Sequence, residues 1–428
     1  MMLRGRHRGL LASRLAPYLA ILLSVSAGCG SFRPADPSRL NSSVATYADE
    51  VWPPRYAETL VPDNAEVRSM RRTFGNLTRD GFEFFGRGPV RANDLGAFGV
   101  GRVARVEVPN PPLPGINHDW AAMYWAVTST LAPEDLADLV SEQGPDVHVG
   151  TTTRLTVGRL FKPARGVRAR GLVVHQTGIT GYKVEQTMLR NLRRRGWAVL
   201  VITPPANIMD REEILVGRRV LAIGEGEEIT TIDEAGRVLA ALVDDRFAEW
   251  GYACEALLMA IEQEYPEIPQ RPGVLIGLSL GAIVLPATAA RLGDRFDAAV
   301  LIAGGSNFLE IVRSSSLGRG GVRLTVDGRT ATPEEWGALV EAYLEHSHLD
   351  PHNAAHALRS MPVLMLHATM DRIVDAGRGE ELFERLGRPD RLVYPLGHLG
   401  ISWLLPMFGP RIADWLDLHT PSDPVDGG

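Results

Sequence analysis

Cysteine is nearly absent from this 428-residue chain, occurring only at positions 29 and 254. Two cysteines so far apart make no disulfide framework, and a chain this long buries enough surface to need none. Lysine is almost missing as well. It occurs only at 162 and 183, so nearly all of the 45 cationic side chains are arginine. We read that uniformity as compositional bias. An excess of positive charge is also lacking, since 51 acidic residues leave a formal net charge of −6. That argues against nucleic acid as a partner, because such binding rests on neutralising phosphates. No internal repeat and no low-complexity tract is present. The apolar content of 45% and charged content of 22% are ordinary for a globular protein.

What is present begins with a leader. Arg4, Arg6, Arg8 and Arg14 precede a mainly apolar stretch, Leu15 to Ala27, and small residues then lead to Cys29. Charge, length and ending are those of an export signal over residues 1–28. The stretch is shorter than the roughly 20 apolar residues of a transmembrane helix. "VSAGC" at 25–29 resembles a bacterial lipobox, which implies lipidation of Cys29 and a membrane anchor. Ser26 departs from the usual leucine, and plain cleavage after Ala27 is the alternative. Loss of residues 1–28 removes four arginines and no acid, which takes the net charge to −10. Cys254 reads as a small buried hydrophobe in the middle of a helix.

"SFRPADPSRLNSS" is polar and proline-bearing, so residues 29–46 read as a tether. An amino-terminal extension of unassigned role follows over 47–147. It includes an expected helix at 118–131, "HDWAAMYWAVTSTL", and another from Pro133. Trp120, Tyr124 and Trp125 suggest either a binding surface or, at helical spacing, core. From 148 to 420 the rhythm changes. "TTTRLTVGRLFKP" alternates like a half-exposed strand. "GLVVHQ", "WAVLVI", "GVLIG", "AAVLI", "PVLMLHA" and "RLVYP" are short apolar runs, separated by helical stretches near 185–196, 233–264, 280–293, 378–387 and 403–416. Pro286 should kink the third of these. Apolar strands alternating with helices imply a mostly parallel, doubly wound sheet covered on both faces. Arg193-Arg194-Arg195 closes a helix before Gly196, where cations suit the helix dipole and glycine the cap. Residues 421–428 read as a disordered tail.

One hydroxyl stands out in "GVLIGLSLGAIVLP". Gly277-Leu278-Ser279-Leu280-Gly281 fits G-x-S-x-G, with an apolar strand before it and an apolar helix after it. A serine hydroxyl is a poor nucleophile until a base takes its proton. "LMLHATMDRIVD" offers Asp371 at the end of a later strand, and "VYPLGHLG" offers His398 at the end of the next. Both lie at carboxyl ends of strands, where such sheets place their sites.

Residues from about 150 to 418 resemble the α/β-hydrolase superfamily, near its esterase, lipase and proline-iminopeptidase-like branches. "HQTGITG" is similar to the family's oxyanion loop and "GLSLG" to its nucleophile elbow. "MPVLMLHATMDRIVD" is similar to its acid segment and Gly397-His398 to its histidine loop. The resemblance implies Ser279 as nucleophile, His398 as base and then acid, and Asp371 as the residue that orients His398. It implies backbone oxyanion donors at Leu280 and Thr177, with Gln176 the alternative. It also implies a cap insertion, about 306–356. Gln176 and Ala368 stand where the family has glycine, and Gln176 offers an extra side-chain amide. Asp375 is a rival acid. His175 and His367 read as structural, and residues 211–232 as a rim to the pocket.

The expected activity is hydrolysis of an ester or related acyl bond through an acyl-serine intermediate, on a small-molecule or lipid-like acyl substrate. No cofactor and no metal is expected. An acyltransferase with the same site, or a non-catalytic lipid-anchored binding protein on this scaffold, are the alternatives. "HSHLDPH" at 346–352 suggests a metal-binding signature, but Pro351 breaks its spacing and "DPH" reads as an Asp-capped helix start.

Overall fold

The computed structural model describes residues 31–39, 43, 46–57, 91–107, 121–132, 134–135, 138, 153–178, 185–204, 220–316 and 323–420. The chain opens on a short strand, β1 (Ser31–Arg33). Four strands follow: β2 (Arg91–Phe98), β3 (Gly101–Glu107), β4 (Ala122–Ser129) and β5 (Thr153–Phe161). Next come β6 (Gly171–Gln176), helix α1 (Gln186–Arg194), β7 (Trp197–Ile202), β8 (Val220–Ile223) and the long helix α2 (Ile232–Glu264). Strand β9 (Gly273–Leu278) leads into α3 (Leu280–Leu292), and β10 (Ala298–Ile302) into α4 (Phe308–Ser314). Strands β11 (Arg323–Val326) and β12 (Arg329–Thr330) precede α5 (Pro333–His346) and α6 (Pro351–Ala354). The chain closes with β13 (Val363–Ala368), α7 (Ala376–Arg385), β14 (Asp390–Tyr394), α8 (His398–Trp403) and α9 (Leu405–His419).

The large sheet runs β1-β14-β13-β10-β9-β6-β7-β5-β4-β3-β2. Its centre, from β14 to β7, is wholly parallel. Both flanks are antiparallel. Alternate residues of the central strands enter two different cores. Val174, Leu200, Leu275, Leu301 and Met365 pack beneath α2 and α3. Val173, Val199, Ile276, Val300 and Leu366 pack with α1, α8 and α9 on the other face. Because both faces are apolar, the strands read as unbroken hydrophobic runs. Sequence signals also start the covering helices. Thr231 accepts from the Glu234 N–H at the start of α2, and Thr332 with Glu335 forms a capping box on α5. α3 runs on through Pro286.

Three expectations need correction or refinement. Residues 122–129 form strand β4, not a helix. Tyr124 and Trp125 are buried core, and Trp120 lies outside the described residues. Both faces of β4 are covered, so its apolar run carries no alternation, and its aromatic and β-branched content favours a strand. Residues 31–39 are not a free tether. β1 pairs with β14, the Ala35 N–H donates to Asp390 Oδ1, and Arg39 meets Glu384. The stretch before α2 supplies β8, which pairs with β11 and, with β12, forms a small second sheet. Arg195 bonds to Asp414 and Asp417, and Gly196 takes φ +91°, so the arginine cluster ends a helix as its position suggests. Residues 1–30 and 421–428 lie outside the described residues, and with them the leader, Cys29 and the tail. So does most of the second helix expected from Pro133. Among the described residues no helix is long and apolar enough to cross a membrane.

Candidate active site

Ser279 occupies the single residue between β9 and α3, at φ +53° and ψ −117°. That backbone is unfavourable for any residue with a Cβ, and it persists because its surroundings hold it. The Ser279 N–H donates to the Ile302 carbonyl at 2.8 Å. Glycine on each side is a steric requirement. A Cβ on Gly277 would lie 2.6 Å from the Gly281 carbonyl oxygen, and one on Gly281 would collide with the Gln176 carbonyl. The helix start can therefore press against the end of β6 only with glycine at both positions. The Ser279 side chain is left half-buried at the carboxyl edge of the sheet.

Two loops from later strands reach it. His398 Nε2 lies 2.8 Å from Ser279 Oγ, and His398 Nδ1 lies 2.7 Å from Asp371 Oδ2. The other Asp371 oxygen accepts from the backbone N–H groups of Ile373 and Val374, at 2.9 and 3.0 Å. The carboxylate is thus fixed at both oxygens. A carboxylate facing Nδ1 favours the tautomer with its proton there, which leaves the Nε2 lone pair to accept from the serine hydroxyl. His398 and Asp371 are both buried. Asp375 is exposed and caps α7 through the Gly377 N–H, away from this chain of hydrogen bonds.

The oxyanion candidates divide. Leu280 is the first residue of α3, so its N–H has no acceptor within the helix and stands beside Ser279. Thr177 does not share that freedom, since its N–H donates to the Ile202 carbonyl at 3.1 Å and extends the ladder of β6 with β7. Gln176 is still within the sheet, in register with Ile202 and Gly277. Its side-chain amide donates to Thr288 Oγ1 at 2.7 Å, on the middle of α3, and so adds nothing to the site. The residue beside the serine on this loop is Gly178, where an added Cβ would sit 3.4 Å from Ser279 Cβ.

One contributor is missing from the sequence reading. Glu185 is fully buried at the start of α1 and lies 2.5 Å from His175 Nε2. It braces both ends of the loop between β6 and α1, and so gives the structural His175 its partner. The available signal was an acid just ahead of the first apolar residues of α1. His367 is buried at the end of β13, and burial, reinforced by Arg391, lowers its pKa to about 4. It makes no contact with the serine or His398 that the hydrogen bonds record.

The histidines of 346–352 face different partners. His346 meets Asp233, and His352 lies between Glu381 and Arg385. Asp350 caps α6 and also accepts from Asn307, Phe308 and Tyr343. Among the described residues no group of histidine, cysteine and acid side chains is arranged to hold a metal ion. A cavity of about 290 Å³ between Gln270, Arg271, Asp294 and Phe296 lies at the opposite, amino end of β9 and β10.

The parallel centre, the helices on both faces and the serine turn after β9 define the α/β-hydrolase fold. No protein-family model matches the sequence, and no curated protein matches it. Among solved structures, the chain is similar to the esterase Pf2001 of Pyrococcus furiosus. Identity is 15% over 62% of this chain and 88% of that one, with a TM-score of 0.40. Est1E of Butyrivibrio proteoclasticus gives 14% identity over 62% and 95%, also with a TM-score of 0.40. An acylaminoacyl peptidase of Pyrococcus horikoshii gives 13% identity over 80% and 52%, with a TM-score of 0.41.

Proposed function

We propose that the chain is a serine hydrolase that transfers an acyl group to water through Ser279. The observation that carries this is His398 bridging Ser279 Oγ at 2.8 Å and Asp371 at 2.7 Å, with the serine on a strained turn. In this mechanism Ser279 Oγ attacks the acyl carbonyl carbon while His398 Nε2 takes its proton. Asp371 holds the Nδ1–H tautomer and stabilises the imidazolium. The Leu280 N–H donates to the oxyanion, a contribution worth about 10²–10³ in rate for a donor of this kind. The imidazolium then protonates the leaving alkoxide or amine. Water attacks the acyl-serine with His398 again as base, and Ser279 is regenerated.

The substrate class is an ester or related acyl compound, small or lipid-like. The esterases and the peptidase among the similar structures agree with that class. The same proposal takes residues 1–28 as an export leader and Cys29 as the attachment point of a lipid anchor at a bacterial cell envelope. A fluorophosphonate probe tests the chemistry. The wild-type protein should be labelled on Ser279, and Ser279→Ala should not be labelled. Equal labelling of the two would end this reading. Activity that survives Ser279→Ala but is lost on chelation would favour a metal-dependent route instead.

A further inference from the structure

The first described strand enters at a telling place. β1 runs antiparallel to β14, with Ser31 opposite Val393 and Arg33 opposite Arg391. Its start therefore lies at the carboxyl end of β14, the same rim from which the His398 loop departs. In the sequence Cys29 stands two residues before Ser31.

That rim is also where large apolar side chains face solvent. Met370 is 63% exposed, Leu399 53%, Trp403 66% and Met407 46%. Met370 adjoins Asp371, and its N–H donates to the Leu396 carbonyl, so the acid loop and the histidine loop form one surface. Leu399, Trp403 and Met407 recur every four residues. Leu399 and Trp403 lie on α8, and Met407 lies in the first turn of α9, after the chain breaks helix at Leu404. The four-residue spacing puts Leu399 and Trp403 on one face of α8. Phe32 of β1 is exposed as well. Exposed apolar surface of this kind marks an interaction site, and tryptophan suits the headgroup region of a bilayer.

We propose that this rim rests on a lipid bilayer, with the opening at Ser279 turned toward the membrane, and that the acyl substrate is drawn from that bilayer. The docking part stands on the register of β1 and on the exposed apolar face. The substrate part rests on the serine-hydrolase reading. Together they give the anchor a function beyond tethering, since a lipid on Cys29 would hold the enzyme with its site facing its substrate.

The experiment uses the full chain reconstituted in phosphatidylethanolamine–phosphatidylglycerol vesicles, with and without brominated acyl chains. The sequence has eight tryptophans. Six of them, at 52, 125, 197, 250, 336 and 415, are buried, whereas Trp403 is exposed. The brominated chains should quench a component of the emission that disappears in Trp403→Phe. Quenching that persists unchanged in Trp403→Phe would overturn the proposal. In parallel, Trp403→Ser with Met407→Ser should lower hydrolysis of a vesicle-borne long-chain ester by roughly tenfold. Hydrolysis of a soluble short-chain ester and fluorophosphonate labelling should stay unchanged. If that pair instead halves the particle mass in detergent and Trp403 is not quenched, the rim joins two copies of the chain and the proposal fails. If the quenching holds but no protein is labelled, the membrane contact survives and the hydrolase reading falls. Should the serine pair fail to fold, Trp403→Phe still decides the docking.

Discussion

β9 and β4 lie in one sheet, and both are almost wholly shut off from water. Only β9 leads into the candidate site. The difference follows from direction. β6, β9, β13 and β14 are parallel, so the loops that follow them gather at one rim, and Gly178, Ser279, Asp371 and His398 meet there. The wing from β2 to β5 is antiparallel, so its strand ends alternate between the two rims. Its polar groups serve packing instead. The Tyr124 hydroxyl donates to Glu264 of α2 at 2.6 Å, and Arg105 reaches the same carboxylate. Parallel strands concentrate loop chemistry, while the antiparallel wing extends the covered surface.

The sharpest way to break this contrast is at the serine. Ser279→Ala should lower turnover of a short-chain aryl ester by roughly 10⁴-fold or more while the melting temperature stays put. Asp371→Asn should cost a similar factor. Its remaining oxygen still accepts from Ile373 and Val374, but its amide meets His398 Nδ1 and forces the other tautomer. Steady-state rates beside thermal melts check both, and a variant that melts early would move the loss from chemistry to folding.

Gly281→Ala acts on the same turn through packing. The new Cβ would collide with the Gln176 carbonyl, and the Gln176 backbone cannot withdraw, because β6 is paired on both sides. A loss of about 3 kcal/mol or more is expected in denaturant unfolding, with activity falling alongside. A melt like that of wild type would show that the elbow has slack. The counterpart in the wing is Tyr124→Phe, which leaves Glu264 with Arg105 among the described residues. About 1–2 kcal/mol of stability should be lost, with the rate on a soluble ester unchanged. A rate change larger than its stability change would mean that the wing does reach the site.

The same contrast explains what the sequence made legible. Ser279, Asp371 and His398 each sit in a short local pattern just after an apolar strand, and parallel topology then brings them together without any further signal. β4 was illegible as a strand because side chains on both its faces are buried, which erases the alternation that would have identified it. β1 has three exposed residues and no pattern of its own; its pairing comes from the open edge of β14. Thr177 was misread by a single residue of strand length, since the ladder runs on past Gln176 and takes up its N–H. Glu185 escaped because its partner, His175, lies across a loop and no local motif joins them.

The smallest net effect in the wild type comes from two buried ionisable groups of opposite sign, one in each setting. His367 closes β13 in the parallel centre, and burial lowers its pKa from the usual 6.5 to about 4. Asp244 lies on α2, the helix that covers the wing, and burial raises its pKa from 3.8 to about 7 despite donors from Ser347, His348 and Leu349. Their signs are opposite. Between about pH 4 and 6.5 the unfolded chain holds the His367 proton more tightly, so that contribution to stability is full above 6.5 and is lost as pH falls through 4. Over about pH 4 to 7 the folded chain holds the Asp244 proton more tightly, so that contribution is full below 4 and is lost as pH rises through 7. Each slope is at most about 1.4 kcal/mol per pH unit, and in the wild type they oppose each other. Melting temperatures of wild type, His367→Asn and Asp244→Asn across pH 5 to 7 separate them. The wild-type advantage over His367→Asn should grow with pH, and its advantage over Asp244→Asn should shrink. Parallel difference profiles for the two variants would show that these buried groups do not titrate as their surroundings dictate.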